Sequence, residues 1–170
     1  MQQNVDSLQG TKQRCSFWRV PGSPIKKDIR RMVTEQEIIN KYLGVPYLHQ
    51  GRTMAGVDCW GMVLLIYKDM GYKLWDIDED YDKSFNWKSK NYFIENYYRE
   101  WDKVEIPELF DLIFFKKAGG QVSHAGVLLK RNRFIHTSDK TGTVVTRLLG
   151  NLGRYEIEGF YHLRRRNDNN

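Results

Sequence analysis

The chain has 170 residues, is 41% hydrophobic and carries a formal net charge of +6, enough for one domain with a sizeable core and too little for two. No stretch approaches the roughly 18 consecutive apolar residues of a membrane span. Its two cysteines, Cys15 and Cys59, exclude a disulfide framework and a Cys-rich zinc site.

Residues 1–31 hold seven Lys or Arg against Asp6 and Asp28, so most of the excess charge lies there and in the closing Arg164, Arg165 and Arg166. Pro21, Gly22 and Pro24 interrupt the segment and no helical or strand period runs through it. It reads as a basic arm suited to an acidic surface such as nucleic acid, an anionic wall polymer or a partner protein; a solvated tail is the plain alternative. Residues 1–30 lack the apolar core of a secretory signal, so the expectation is synthesis in the cytoplasm without an export signal.

Folding signals begin at Thr34. "TEQE" has the form of a capping box, with Thr34 taking the amide of Glu37 and Glu37 reaching back. Ile38, Ile39, Tyr42 and Leu43 give a short apolar face that Gly44 ends. "GVPYLHQGRTMAG" reads as a loop. Its glycine spacing imitates a phosphate loop but lacks the Lys-Ser/Thr ending. From Asp58 to Met70 the positions Cys59, Met62, Val63, Ile66, Tyr67 and Met70 recur at helical spacing, and Gly71 is the expected stop.

"DIDEDYD" (76–82) is an acidic loop without the glycine and ligand spacing of an EF-hand. Ser89 to Trp101 reads as an aromatic-rich helix. The period then changes. "LFDLIFFK", "SHAGVLLK", "RFIHTS", "TVVTRLL" and "RYEIEGFYHLRR" are short strand-like runs separated by Ala118-Gly119-Gly120, Arg131-Asn132 and Lys140-Thr141-Gly142. Helices followed by a meander of antiparallel strands predict an α+β fold. The expected organisation is a basic arm over 1–31, one globular domain over 32–163 and a polar tail over 164–170.

Cys59 carries the chemical signal. At the start of a helix its sulfur faces the positive end of the macrodipole, where a thiolate is stabilised and the thiol pKa falls. Gly56 allows a sharp entry into the helix, and Gly61 allows another segment to pack closely. A nucleophile needs a base, and the chain has four histidines: His49, His124, His136 and His162. His124 opens one strand and His136 ends the next. With Arg131-Asn132 as the turn, Val127 faces His136 and His124 faces Asp139. The two histidines then lie at the same end of the hairpin but out of opposition, unless a bulge or a looser turn brings them nearer. The pattern permits His124 as base with His136 orienting it, in the Cys…His…polar order of papain-like enzymes. A structural cysteine with hydrogen-bonded strand histidines, the usual case for such residues, is also compatible with the spacing. So is a metal set of His124, His136 and Asp139. His49 lies in the loop before Cys59, where it can line a cleft. His162 reads as structural.

"YLGVPYLHQGRTMAGVDCWGMVLLIY" resembles the nucleophile segment of the NlpC (P-sixty) family of cell-wall cysteine peptidases. Leu43-Gly44-Val45-Pro46-Tyr47 matches its Leu-Gly-x-Pro-Tyr loop, and Gly56-Val57-Asp58-Cys59-Trp60-Gly61 its Gly-x-Asp-Cys-Ser-Gly turn. "ELFDLIFFK", "HAGVLL" and "FIHTS" resemble three further motifs in the right order, across residues 34–163. The resemblance implies a papain-like fold with N-terminal helices packed on an antiparallel sheet and no metal or organic cofactor. It implies Cys59 as nucleophile, His124 as general base, His136 as its orienting partner and Tyr47 as an aid to the oxyanion. Asp58 would hold the amino end of the peptidoglycan stem peptide. Trp60 and His49 would line the substrate cleft, where the family usually has Ser and Gly.

The Cys-Trp-Gly form is similar to that of phage tail proteins. The resemblance therefore implies a peptidoglycan endopeptidase on a virion tail tip, cutting a stem-peptide amide beside D-glutamate, with the basic arm docked on neighbouring tail-tip or hub proteins. Two other expectations stand beside it: a tail-assembly protein that keeps the fold without using the activity, and an amidase or acyltransferase on the same scaffold. A nucleic-acid role rests only on the arm.

Overall fold

The computed structural model describes residues 33–76, 100–117, 122–148 and 155–164. The arm over 1–31, all of the expected Ser89–Trp101 helix but its end, the acidic loop beyond Asp76 and the tail beyond Arg164 lie outside the described residues.

Two helices and eight strands are described, in the order α1 (Glu35–Tyr42), β1 (Arg52–Thr53), β2 (Gly56–Val57), α2 (Cys59–Asp69), β3 (Trp101–Val104), β4 (Leu112–Lys117), β5 (Val122–Leu129), β6 (Arg133–Ser138), β7 (Gly142–Arg147) and β8 (Tyr155–Leu163). The capping box forms as read: the Thr34 hydroxyl accepts from the Glu37 amide at 3.2 Å, and the Glu37 carboxylate accepts from the Thr34 amide at 2.9 Å. Asp58 caps α2 by accepting from the Gly61 amide at 2.6 Å. The two helices are joined at Asp69, whose carboxylate takes Lys41 at 2.6 Å and the Tyr42 hydroxyl at 2.9 Å.

The main sheet has the order β3-β8-β4-β5-β6-β7, antiparallel throughout. The meander β4 to β7 follows the sequence reading. The last strand does not extend it, because β8 crosses back to pair with β4 and then carries β3 on its other side. Trp101, expected to end a helix, instead opens β3 and is buried. A two-stranded ribbon, β1-β2, lies within the segment read as a plain loop.

The main core lies where the helices meet one face of this sheet. Ile38 and Tyr42 of α1 and Met62, Val63 and Ile66 of α2 join Leu112, Phe114, Ala125, Val127, Leu129 and Ile135. The alternate residues Ile113, Phe115, Leu128 and Phe134 form a second cluster, as the two-residue period of a strand requires.

The β5-β6 hairpin has a different register from the one the sequence predicts. Its turn has three residues, Lys130 to Asn132, and the observed pairs are Leu129↔Arg133, Leu128↔Phe134 and Val127↔Ile135. Arg131 and Asn132 both adopt positive φ, at 60° and 52°. A one-residue change of register moves a side chain to the other face of a strand. Here it puts His136 on the face that His124 occupies.

Candidate active site

Cys59 is the first residue of α2, held there by the Asp58 cap. The helix start is packed tightly against the β1-β2 ribbon. A Cβ on Gly61 would stand 2.0 Å from the Gly51 carbonyl oxygen, a contact no side chain tolerates. Only glycine allows the first turn of α2 to approach that backbone. The Cys59 sulfur accepts hydrogen bonds from the backbone amides of Ala125 and Trp60. The peptide between His124 and Ala125 therefore joins the sulfur's donor to the proposed base.

His124 sits at an irregularity in β5. It pairs with Phe115, while the next β4 residue, Lys116, pairs with Val122, so Ser123 is the extra residue of a bulge. Bulges redirect neighbouring side chains. The His124 ring lies near Phe115, with centroids 5.7 Å apart, and His136 near Phe134, at 4.7 Å. Gly126 lets β6 pack closely, since a Cβ there would stand 2.9 Å from Phe134 Cδ2 and 3.0 Å from the Ile135 carbonyl oxygen. His124 Nε2 and His136 Nδ1 are 2.8 Å apart, and the line continues from His136 Nε2 to the Thr146 hydroxyl at 2.9 Å.

Thr146 was absent from the sequence reading, although the β6-β7 hairpin contains the signal. His136 pairs with Val144, so Thr146 is the next residue on the same face of β7. It stands diagonal to His136, within reach of a polar side chain.

Tyr47 is carried to the site by its own segment. Gly44 and Val45 hydrogen-bond Thr143 on the edge of β7, at 2.8 and 2.9 Å, while Pro46 and Leu48 bond Val57 on β2, both at 3.0 Å. The Tyr47 phenol is held above its ordinary pKa by burial and by the charges of Asp58, Cys59 and Asp139. It stays protonated and able to donate a hydrogen bond.

The electrostatics reverse one expectation. The macrodipole argument predicts a lowered thiol pKa, but burial pushes the Cys59 thiol up to about 12, and the Asp58 carboxylate adds to the rise. The amides of Ala125 and Trp60 and the Arg52 guanidinium pull the other way and are outweighed. The helix terminus loses first to desolvation of the sulfur, and the Asp58 carboxylate at the cap adds to that loss. Burial lowers His124 to about 3, helped by His136 and Lys117, and lowers His136 to about 4. At neutral pH the site holds a thiol and two uncharged imidazoles.

The remaining expected site residues are placed as follows. Asp58 is 4% exposed and turned inward. Its oxygens accept from the Gly61 amide, from the Gln50 amide at 3.1 Å and from Arg52 at 3.0 Å, so a substrate ammonium would have to share them. Trp60 is 1% exposed and belongs to the main core, so its indole forms no part of an open surface. His49 is half-buried in the turn before β1. Leu48, beside it, is 53% exposed. His162 bonds Asp111 at 2.7 Å. Among the described residues no three His, Cys, Asp or Glu side chains are grouped closely enough to hold a metal ion. No helix among them is long and apolar enough to cross a membrane.

A half-buried thiol at a helix start, bonded to the amide of the residue that follows His124, has the groups needed for nucleophilic attack on a carbonyl. Comparison with known proteins finds the same family that the motifs indicate. The NlpC/P60 family model matches residues 44–156. The chain is 29% identical over 137 residues to a probable endopeptidase of Haemophilus influenzae, covering 79% of this chain and 73% of that protein. It is 28% identical over 156 residues to probable endopeptidase NlpC of Escherichia coli, covering 89% and 90%. It is also 29% identical over 97 residues to tail tip assembly protein K of Escherichia phage N15, covering 54% of this chain and 39% of that one. Among solved structures, an NLP/P60 family protein described as similar to lipoprotein, from Staphylococcus aureus, superposes with a TM-score of 0.53 at 23% identity. It covers 75% of this chain, which spans only 39% of that protein's length. An NlpC/P60 family protein of Bacillus cereus superposes with a TM-score of 0.50 at 25% identity, over 72% of this chain and 38% of that one.

Proposed function

Because this chain belongs to the NlpC/P60 family, we propose that it is a cysteine endopeptidase that cuts a stem-peptide amide of bacterial peptidoglycan, beside D-glutamate. The observation that carries the reading is the line His124–His136–Thr146, anchored beside the peptide whose amide bonds the Cys59 sulfur.

The hydrogen bonds constrain the protons. For His124 to act as a base through Nδ1, its Nε2 must carry the hydrogen and donate to His136 Nδ1. The second ring then carries its hydrogen on Nε2 and donates to the Thr146 oxygen. The Thr146 oxygen accepts that hydrogen and so accommodates this tautomer of both rings. At rest the proton stays on sulfur. As the sulfur attacks the substrate carbonyl, the proton passes to His124 Nδ1 and then to the departing amine. Water, giving its proton to His124, releases the acyl group and restores the thiol. Tyr47 donates to the oxyanion, the role its raised pKa permits. Asp58 keeps the helix start in place, and any contact with the substrate's amino end is shared with its present partners. His49 and the exposed Leu48 border the approach to Tyr47 and set which stem peptide fits. Trp60 acts from within the core by supporting the first turn of α2.

We place this activity on a phage tail tip, with the arm over 1–31 docked on tail-tip or hub proteins. The similarity to a tail tip assembly protein supports that setting. It also favours a second reading, an assembly role without catalysis. Digestion of purified peptidoglycan with wild type and Cys59→Ala, read by mass spectrometry for newly freed peptide ends, separates the two. New ends from wild type alone support the peptidase and identify the bond. No new ends from walls of several chemotypes would favour assembly.

A further inference from the structure

Arg52 lies between the two matched motifs of the nucleophile segment, Leu43–Tyr47 and Gly56–Gly61, and its guanidinium has an unusual set of neighbours. On one side Nη1 donates to Asp58 Oδ1 at 3.0 Å and to the Gly51 carbonyl at 3.0 Å. On the other, Nε and Nη2 form a fork on Asp76, with Nε–Oδ2 at 2.9 Å and Nη2–Oδ1 at 3.0 Å. Asp58 caps the start of α2 and Asp76 lies seven residues beyond its last residue, so one guanidinium ties the helix cap to the segment that follows the helix. A planar, permanently charged fork suits this double engagement, and a lysine ammonium does not reproduce it.

The buried carboxylate of Asp58 has a conflicting role. It satisfies the helix start, but it places a negative charge one residue before the sulfur that must lose a proton during attack. A buried carboxylate without a counter-charge is costly to the fold and opposes thiolate formation. We propose that Arg52 is a positioning residue for the nucleophile: its guanidinium holds Asp58 at the cap of α2 and offsets that carboxylate's charge beside the Cys59 sulfur. The charged or titratable groups around this pair include Tyr47, which senses both Asp58 and Cys59, Asp139, which Tyr47 senses, Asp76, which takes part of the Arg52 charge, and, from β5, His124 with its neighbours His136 and Lys117. The proposal rests on Cys59 as nucleophile.

The test reads the thiol directly, so failure to cleave peptidoglycan does not affect it. In a Cys15→Ser background, iodoacetamide alkylation of Cys59 is followed from pH 7 to 11 in the parent, Arg52→Gln, Arg52→Lys, Asp58→Asn and the double variant Arg52→Gln/Asp58→Asn. Below the thiol pKa, each unit of upward shift slows alkylation about tenfold. Arg52→Gln is expected to move the profile to higher pH and Arg52→Lys to move it less. Asn is a good cap without charge, so Asp58→Asn is expected to move the profile to lower pH. The double variant is expected to return to or below the parent profile. If Arg52→Gln lowers the melting temperature but leaves the profile unchanged, Arg52 is only a brace and the proposal fails. If the profile rises and Asp58→Asn does not reverse it, charge compensation is refuted. A Gln variant that fails to fold leaves the Lys and double variants to decide on the same criterion.

Discussion

The two relay histidines should make the fold acid-sensitive in a calculable way. Both are neutral in the folded protein, with His124 lowered to about 3 and His136 to about 4. In the unfolded chain each titrates near the ordinary value of about 6.5. Between these values the unfolded state binds more protons than the folded state, so stability rises with pH and is lost as pH falls through about 6.5. At pH 5 each unfolded histidine gains roughly 2 kcal/mol from protonation that its folded counterpart does not, hence about 4 kcal/mol for the pair. That is a large part of the 5–15 kcal/mol of a typical domain. Urea unfolding at pH 7 and pH 5, followed by tryptophan fluorescence, measures the loss. The control is His124→Gln/His136→Gln, which keeps His49, His162 and every carboxylate. Wild type should lose about 4 kcal/mol more than the control between the two pH values. Parallel losses in the two proteins would mean that the rings accept protons in the fold, and the neutral-relay argument would be refuted.

Three further outcomes are expected. Thr146→Val removes the oxygen that orients His136, so peptidoglycan cleavage should fall about tenfold with stability changed by no more than about 1.5 kcal/mol, while Thr146→Ser should keep most of the rate. Gly61→Ala drives a methyl group into the Gly51 carbonyl, so the melting temperature should drop, with a loss of about 3 kcal/mol in chemical unfolding. Tyr47→Phe leaves the ring and removes the donor; kcat should fall about 10- to 100-fold at nearly constant KM, and an unchanged kcat would remove Tyr47 from the oxyanion site.

The elements that build the site were legible in the sequence wherever the physics is local. Thr34 and Glu37 cap α1 because their side chains reach backbone amides only three residues away. Cys59 opens α2 because Asp58 caps it and the apolar stripe after it has the helical period. The strand-like runs from β4 onward are strands because their composition and turn residues are those of strands.

The decisive details of the site are not local. His124 and His136 meet because the hairpin turn takes a third residue and Ser123 bulges out of β5, and both depend on how β4 and β6 pair with it. Trp101 became a strand because β8 crosses back and offers it an edge, a choice no window around Trp101 contains. The charge state of Cys59 was likewise a tertiary outcome. Its place at a helix start argues for a thiolate, but desolvation of the half-buried sulfur and the buried Asp58 carboxylate beside it argue more strongly for a thiol. Residue type and local spacing determined which groups could react; the packing of distant segments determined where they meet and which of them keep their protons.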